Sequence, residues 1–188
     1  MKGFLLVLAS ALSTLPAMAA GSGGSEGAVK YFEGVTLTDQ NGRVVELYRD
    51  VIAGHSVVIN TFFTHCAASC PVTMNTLKAL QAHLGARTDT DVRLVSITVD
   101  AGTDTPVVLH DYAVRLKAKP GWYFLTGSSD QVATALRRIG QYSEQPADHM
   151  DLLVIGNDRT GLWKKVLATA PPADVERIAL GVADDRGE

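Results

Sequence analysis

Apolar and polar positions along this chain alternate in blocks whose period switches between two and about 3.6. Positions 35–39 alternate, Asn41-Gly42 follows, and 44–47 alternate again, which predicts a β-hairpin. Positions 56–63 form a mostly apolar run of the kind found in strands buried on both faces. Val72, Leu77, Leu80 and Leu84 share one helical face, which Gly85 closes. A second apolar strand covers 92–99. Thr105 before Pro106 predicts an N-cap followed by the first helical residue, with that helix ending at 116 or 117. A short strand covers 122–125, and Ser128 or Ser129 caps a helix that runs to 139 ahead of Gly140. Strands over 150–155 and 162–167 flank a turn at 157–161. Pro172 starts a last helix with Ala173, Ile178 and Leu180 on its apolar side.

The order is hairpin, then βαβαβα, then a second hairpin, then α. Such alternation argues for a mainly parallel sheet covered on both faces. A βαβ half followed by a ββα half is the thioredoxin arrangement. We therefore expect a single α/β domain over 34–181, a thioredoxin-like fold with an N-terminal β-hairpin extension.

The ends read differently. Lys2, the apolar stretch 4–12 and Ala17-Met18-Ala19 have the form of a cleaved signal peptide over 1–19. That stretch is short for a membrane span of ~20 residues, and Pro16 follows soon after it. No cysteine follows it to carry a lipid. The expectation is an exported, periplasmic protein with no stable membrane span, the alternative being a retained N-terminal membrane anchor. Gly21 to Gly27 reads GSGGSEG, and 20–33 is read as a flexible linker. Residues 182–188 are read as a frayed acidic tail. With a net charge of −3, no basic block and 6% aromatic residues, a nucleic-acid partner is not expected.

Export gives weight to Cys66 and Cys70, the only two cysteines. Outside the cytosol a thiol pair tends to oxidise unless a reductant or a metal holds it. Positions i and i+4 of a helix lie about 6 Å apart along the axis and on one face. A disulfide spans ~4.4–6.8 Å between Cα atoms, so the pair can close or converge on one ion. A helix N-terminus favours the thiolate in either case. An inert staple would close only five residues and stabilise little. A metal would need a third ligand, and there are five histidines: His55, His65, His83, His110 and His149. His83 and His110 lie among polar helical neighbours, His55 lies in the loop before the first central strand, and His65 is adjacent to Cys66. In a thioredoxin-like sheet, the loop that carries His149 faces the thiol loop.

Thr64-His65-Cys66-x-x-x-Cys70-Pro71 resembles the central motif of the Sco/SenC family, copper chaperones of cytochrome c oxidase assembly. Ser96-Ile97-Thr98-Val99-Asp100 with Asp104-Thr105-Pro106 is similar to that family's S-V-D-P-x-x-D-T-P segment. Trp122-Tyr123-Phe124-Leu125-Thr126-Gly127 resembles its W-x-x-L-T-G. Asp148-His149, with Asp158-x-x-Gly161, resembles its D-H-S…D-x-x-G region. The resemblance covers about 34–180 and implies a copper site of Cys66, Cys70 and His149. It implies copper, Cu(I) or Cu(II), as the metal. Separately from the resemblance, Asp148, next to His149, is expected to orient the imidazole. The implied partners are the copper-site subunit of cytochrome c oxidase, or another periplasmic copper chaperone, and a thiol reductant protein. Three departures stand out. Ala67-Ala68-Ser69 replaces an insert that usually carries an acidic residue, Ala101 replaces a usual proline, and many members keep a membrane anchor.

The ligand set fits copper on its own chemistry, because two thiolates and an imidazole suit Cu(I). Zinc usually takes a closed set of protein ligands in structural sites. The competing reading is a periplasmic thiol–disulfide oxidoreductase that uses Cys66 and Cys70 as a redox couple and keeps copper-site cysteines reduced. A peroxidase would need Ser or Thr three residues before its cysteine, where this chain has Phe63 or Ala67.

Overall fold

The structure, a computed structural model, describes residues 26–67 and 69–187. Helix α1 (Glu26–Phe32) leads into β1 (Thr36–Asp39) and β2 (Val44–Glu46). A π turn, Leu47–Ile52, precedes β3 (Ser56–Phe62) and α2 (Cys70–Leu84). There follow β4 (Val92–Thr98), α3 (Pro106–Leu116), β5 (Trp122–Thr126), α4 (Ser129–Ile139), β6 (Leu152–Asn157), β7 (Leu162–Leu167) and α5 (Pro172–Ala183). The seven strands form one sheet in the order β2-β1-β5-β4-β3-β6-β7. Among the described residues no helix is long and apolar enough to cross a membrane.

The expected α/β architecture and its N-terminal hairpin are present, but the sheet is not mainly parallel. Only β3–β4 and β4–β5 run parallel; the other four pairings are antiparallel. The reason lies in the connections. A helix carries the chain from β3 to β4 and from β4 to β5, and such crossovers return parallel. The hairpins at each edge, and the return of β6 beside β3, reverse direction.

Alternation along β3 divides the core. Val57 and Ile59 face α1, α4 and the π turn, while Val58 and Phe62 face α2, α3 and α5. Burial on both sides explains why β3 reads as a continuous apolar run. The helix caps follow the sequence signals. Thr105 accepts a hydrogen bond from the Val108 N–H, Ser128 accepts one from the Gln131 N–H, and Gly140 ends α4 at φ +68°.

Three boundaries differ from expectation. Part of the stretch read as a linker is α1, whose Ala28 and Phe32 are buried against the sheet; the signal-peptide segment 1–19 and residues 20–25 lie outside the described residues. The stretch read as a tail begins with Val182 and Ala183, both buried in the last turn of α5. The buried Asn157 amide donates to the Val182 carbonyl (3.0 Å), and Arg87 pairs with Asp184 (2.8 Å), which anchors this end of the chain. Strand β6 starts two residues later than the apolar run suggests, because Met150 and Asp151 remain in the preceding loop.

Gly156 faces Trp163 across β6–β7, and a Cβ there would lie 2.2 Å from the indole ring. Gly156→Ala is expected to cost about 1–3 kcal/mol by overpacking. Gly181, exposed on α5 with open space around it, provides the contrast. There alanine is expected to stabilise by about 0.5–1 kcal/mol through helix propensity. Urea denaturation of both variants checks the pair.

Candidate metal centre

The central strand delivers the thiols. After Phe62 the chain turns, with the Cys66 N–H on the Phe63 carbonyl (3.1 Å), and Cys70 is the first residue of α2. Pro71 follows at a helical position that needs no N–H donor. Cys66 and Cys70 are joined by a disulfide, with 5.9 Å between their Cα atoms. Cys70 is buried in the core, and Cys66 is half-buried against it.

Asp104 holds this loop in place. Its carboxylate is fully buried and accepts from the Thr64 N–H (3.1 Å), the Thr64 hydroxyl and the Thr98 hydroxyl (2.6 Å). Among the described residues, no Lys or Arg pairs with it. Charge-assisted hydrogen bonds carry the load instead. The clamp ties the thiol loop to the start of α3, and Thr105-Pro106 follows at once. Nearby, burial pushes the Tyr112 phenol up; Arg115 opposes that shift and the Asp104 charge adds to it.

His149 arrives from the other side. The segment between α4 and β6 ends in a 3₁₀ turn, Pro146–Asp148, and His149 follows in extended conformation. Its Nδ1 lies 2.8 Å from the Pro146 carbonyl, which can only accept, so Nδ1 carries the proton. In the neutral ring, Nε2 then presents a lone pair, 3.9 Å from Cys70 Sγ. The side chain is only 4% exposed, and its ring meets Phe63 edge-to-face at 5.8 Å. The buried Thr61 hydroxyl donates to Gln141 Oε1 (3.1 Å), anchoring the start of this segment to β3.

The expected trio therefore meets, although its members come from two distant parts of the chain. The other histidines stay away. His55 bonds the Ala53 carbonyl (2.7 Å) before β3, and burial lowers its pKa, opposed by that hydrogen bond. His83 pairs with Glu176 at 3.0 Å, His110 is exposed on α3, and His65 is exposed beside Thr64. Asp148 does not fill the orienting role expected of it. Its side chain is exposed, and the Pro146 carbonyl orients the imidazole instead.

One site residue had escaped the sequence reading. Asp151 Oδ1 accepts from the Ser69 hydroxyl at 2.7 Å and lies 3.8 Å from His149 Nε2. A carboxylate thus stands beside His149, bonded to the residue before Cys70, even though the insert Ala67-Ala68-Ser69 contains none. Its one sequence signal was an acidic residue within an apolar run. In the disulfide form both sulfurs are engaged, and among the described residues no group of three or more His, Cys, Asp or Glu stands ready to hold a metal.

The SCO1/SenC family model matches residues 25–156. A putative copper-binding protein of Stutzerimonas stutzeri is 31% identical over 104 residues, covering 55% of this chain and 49% of that protein. The chain spans about half the length of the curated relatives it matches. Among solved structures, Bradyrhizobium japonicum ScoI with copper bound superposes at TM-score 0.65 with 23% identity, covering 79% of this chain and 96% of that one. BsSco, a member of the Sco family of cytochrome c oxidase assembly proteins in which a disulfide switch was identified, superposes at 0.66 with 24% identity, covering 80% and 92%. At these identities the structures show the shared thioredoxin-like fold.

Removing the clamp strands several donors in the interior. Asp104→Ala is expected to cost about 2–3 kcal/mol, and to raise amide hydrogen exchange selectively over 64–70. Asp104→Asn keeps one acceptor oxygen and is expected to lose less. Denaturation of the disulfide form, with exchange read by mass spectrometry, checks both.

Proposed function

The chain belongs to the SCO1/SenC family, and from that membership we propose that it is an exported protein that binds one copper ion and passes it on in the assembly of cytochrome c oxidase. Cys66, Cys70 and His149 are the ligands. The observation that carries this reading is the aim of His149: Nδ1 is committed to a backbone carbonyl, and Nε2 points at Cys70 Sγ from 3.9 Å in a nearly closed setting. A histidine metal ligand is commonly oriented by such a bond from its second nitrogen. The copper-binding relative and the copper-bound solved structure support the choice of metal.

The donor set fits the cargo. Two thiolates and one imidazole are soft to intermediate donors, and a three-ligand site leaves one side open for exchange. The disulfide gates loading. A partner dithiol would give up two electrons and two protons, ending as its own disulfide and leaving Cys66 and Cys70 as thiols. Both thiols lose their protons on binding metal, favoured by the N-terminus of α2. Cys66 is half-buried, which gives an attacking thiolate its route. The acceptor in this reading is the copper-site subunit of cytochrome c oxidase or a second periplasmic copper chaperone.

The disulfide itself favours a second reading, in which the pair acts as a thiol–disulfide oxidoreductase toward another protein's copper-site cysteines. Insulin reduction and a measured thiol potential separate the two. Turnover without copper affinity supports the oxidoreductase.

The reduced protein is expected to take up one copper per chain, read by mass spectrometry and absorbance, and the disulfide form none. His149→Ala should weaken binding roughly tenfold or more, a loss of about 1.4 kcal/mol or more. Binding in that variant as tight as in the parent overturns the three-ligand site.

A further inference from the structure

Asp151 stands where a fourth ligand would come from. Its Oδ1 is 3.8 Å from His149 Nε2, and that nitrogen is 3.9 Å from Cys70 Sγ. Imidazole, thiol sulfur and carboxylate oxygen thus border one small volume at the N-terminus of α2. The Asp151 backbone is fixed, since its carbonyl accepts from the Ala168 N–H at 2.8 Å. The side chain is one-third exposed and, among the described residues, meets no Lys or Arg. Its single strong partner is the Ser69 hydroxyl at 2.7 Å. Ser69 is at the N-cap of α2, yet its hydroxyl makes no capping bond and is spent on Asp151.

Resting on the copper reading above, we infer that Asp151 is the oxygen ligand of the site when it holds Cu(II). A carboxylate is a hard, anionic donor. It adds little to Cu(I) among two thiolates and an imidazole, but favours Cu(II), which takes nitrogen and oxygen in tetragonal sites. The step is a ligand addition without redox change, into the side that the two thiolates and the imidazole leave open. The hydrogen bond from Ser69 to Oδ1 breaks, an Oδ1 lone pair is donated to the metal, and the Ser69 hydroxyl turns to water. In the disulfide form Ser69 holds the carboxylate beside the sulfurs. The insert Ala67-Ala68-Ser69 supplies no acid, so Asp151 provides this chain's carboxylate at the site from the β6 side.

Asp151→Asn is the test, because asparagine keeps an acceptor for Ser69 and nearly the same shape. Its disulfide form should unfold at the parent's temperature. Cu(I) and Cu(II) affinities of the reduced protein are measured separately by competition with chelators, and the Cu(II) protein is recorded by electron paramagnetic resonance. The variant should lose roughly tenfold in Cu(II) affinity while Cu(I) affinity stays within about twofold. That differential raises the Cu(II)/Cu(I) potential by about 59 mV. The copper hyperfine coupling should change while the nitrogen coupling from His149 persists. Ser69→Ala frees the carboxylate and should tighten Cu(II) binding by roughly two- to tenfold, about the worth of one hydrogen bond. An Asp151→Asn variant with the parent's Cu(II) affinity and spectrum overturns the ligand assignment and leaves the three-ligand site standing. So does weaker Cu(II) binding in Ser69→Ala. A parent that binds copper in neither oxidation state overturns both readings.

Discussion

The antiparallel register of β3 against β6 is the constraint on which this site depends. Asn60 pairs with Leu153 at the end of the ladder. From there one strand runs on to Phe63 and the thiol loop, while the other is preceded by His149. Two stretches some eighty residues apart are thus set side by side by main-chain hydrogen bonds. A slip of one residue would turn every side chain of β6 to the other face. Burial of β3 on both faces makes that slip costly, so the register is strongly held.

Polar groups in the interior convert this register into a defined site. Asp104 joins the thiol loop to the loop before α3, using acceptors alone and no salt bridge. Thr61 and Gln141 join the start of the His149 segment to the same strand. Beneath them the Trp122 indole donates to Ser96, whose hydroxyl donates to Asn60. Each of these buried groups is directional. Apolar packing alone would hold β3 in the core but would leave the loops at its end free to choose among positions.

The same arrangement serves two chemistries. A Cα separation of 5.9 Å lets the sulfurs bond to one another. In the proposed copper-binding role, the nearby imidazole is the third donor to the opened thiols. The Ser69 hydroxyl at the helix start restrains the Asp151 carboxylate next to His149. A carboxylate usual between the cysteines in the resembled family is here brought in from the loop before β6.

Much of this protein was legible in its sequence because local rules decide local structure. The Asn-Gly hairpin, the Thr105-Pro106 and Ser128 helix starts, the Gly140 stop and the doubly buried β3 all follow from neighbours within a few residues. The thiol pair was legible for the same reason, but not its setting: Cys66 lies in the loop and only Cys70 is on α2. Strand direction was not, since it is set by which strands become neighbours, and helix α1 was hidden by a glycine-rich composition that its buried Phe32 overrides. The role expected of Asp148 fell to the Pro146 carbonyl because the Asp148 side chain, last in the 3₁₀ turn, is exposed, while the carbonyl three residues back lies under the ring. Asp151 could be seen in the sequence only as an acid out of place. Its meeting with Ser69, 82 residues away, depends on long-range pairing between β3 and β6, and contacts of that range are decided by the packed sheet.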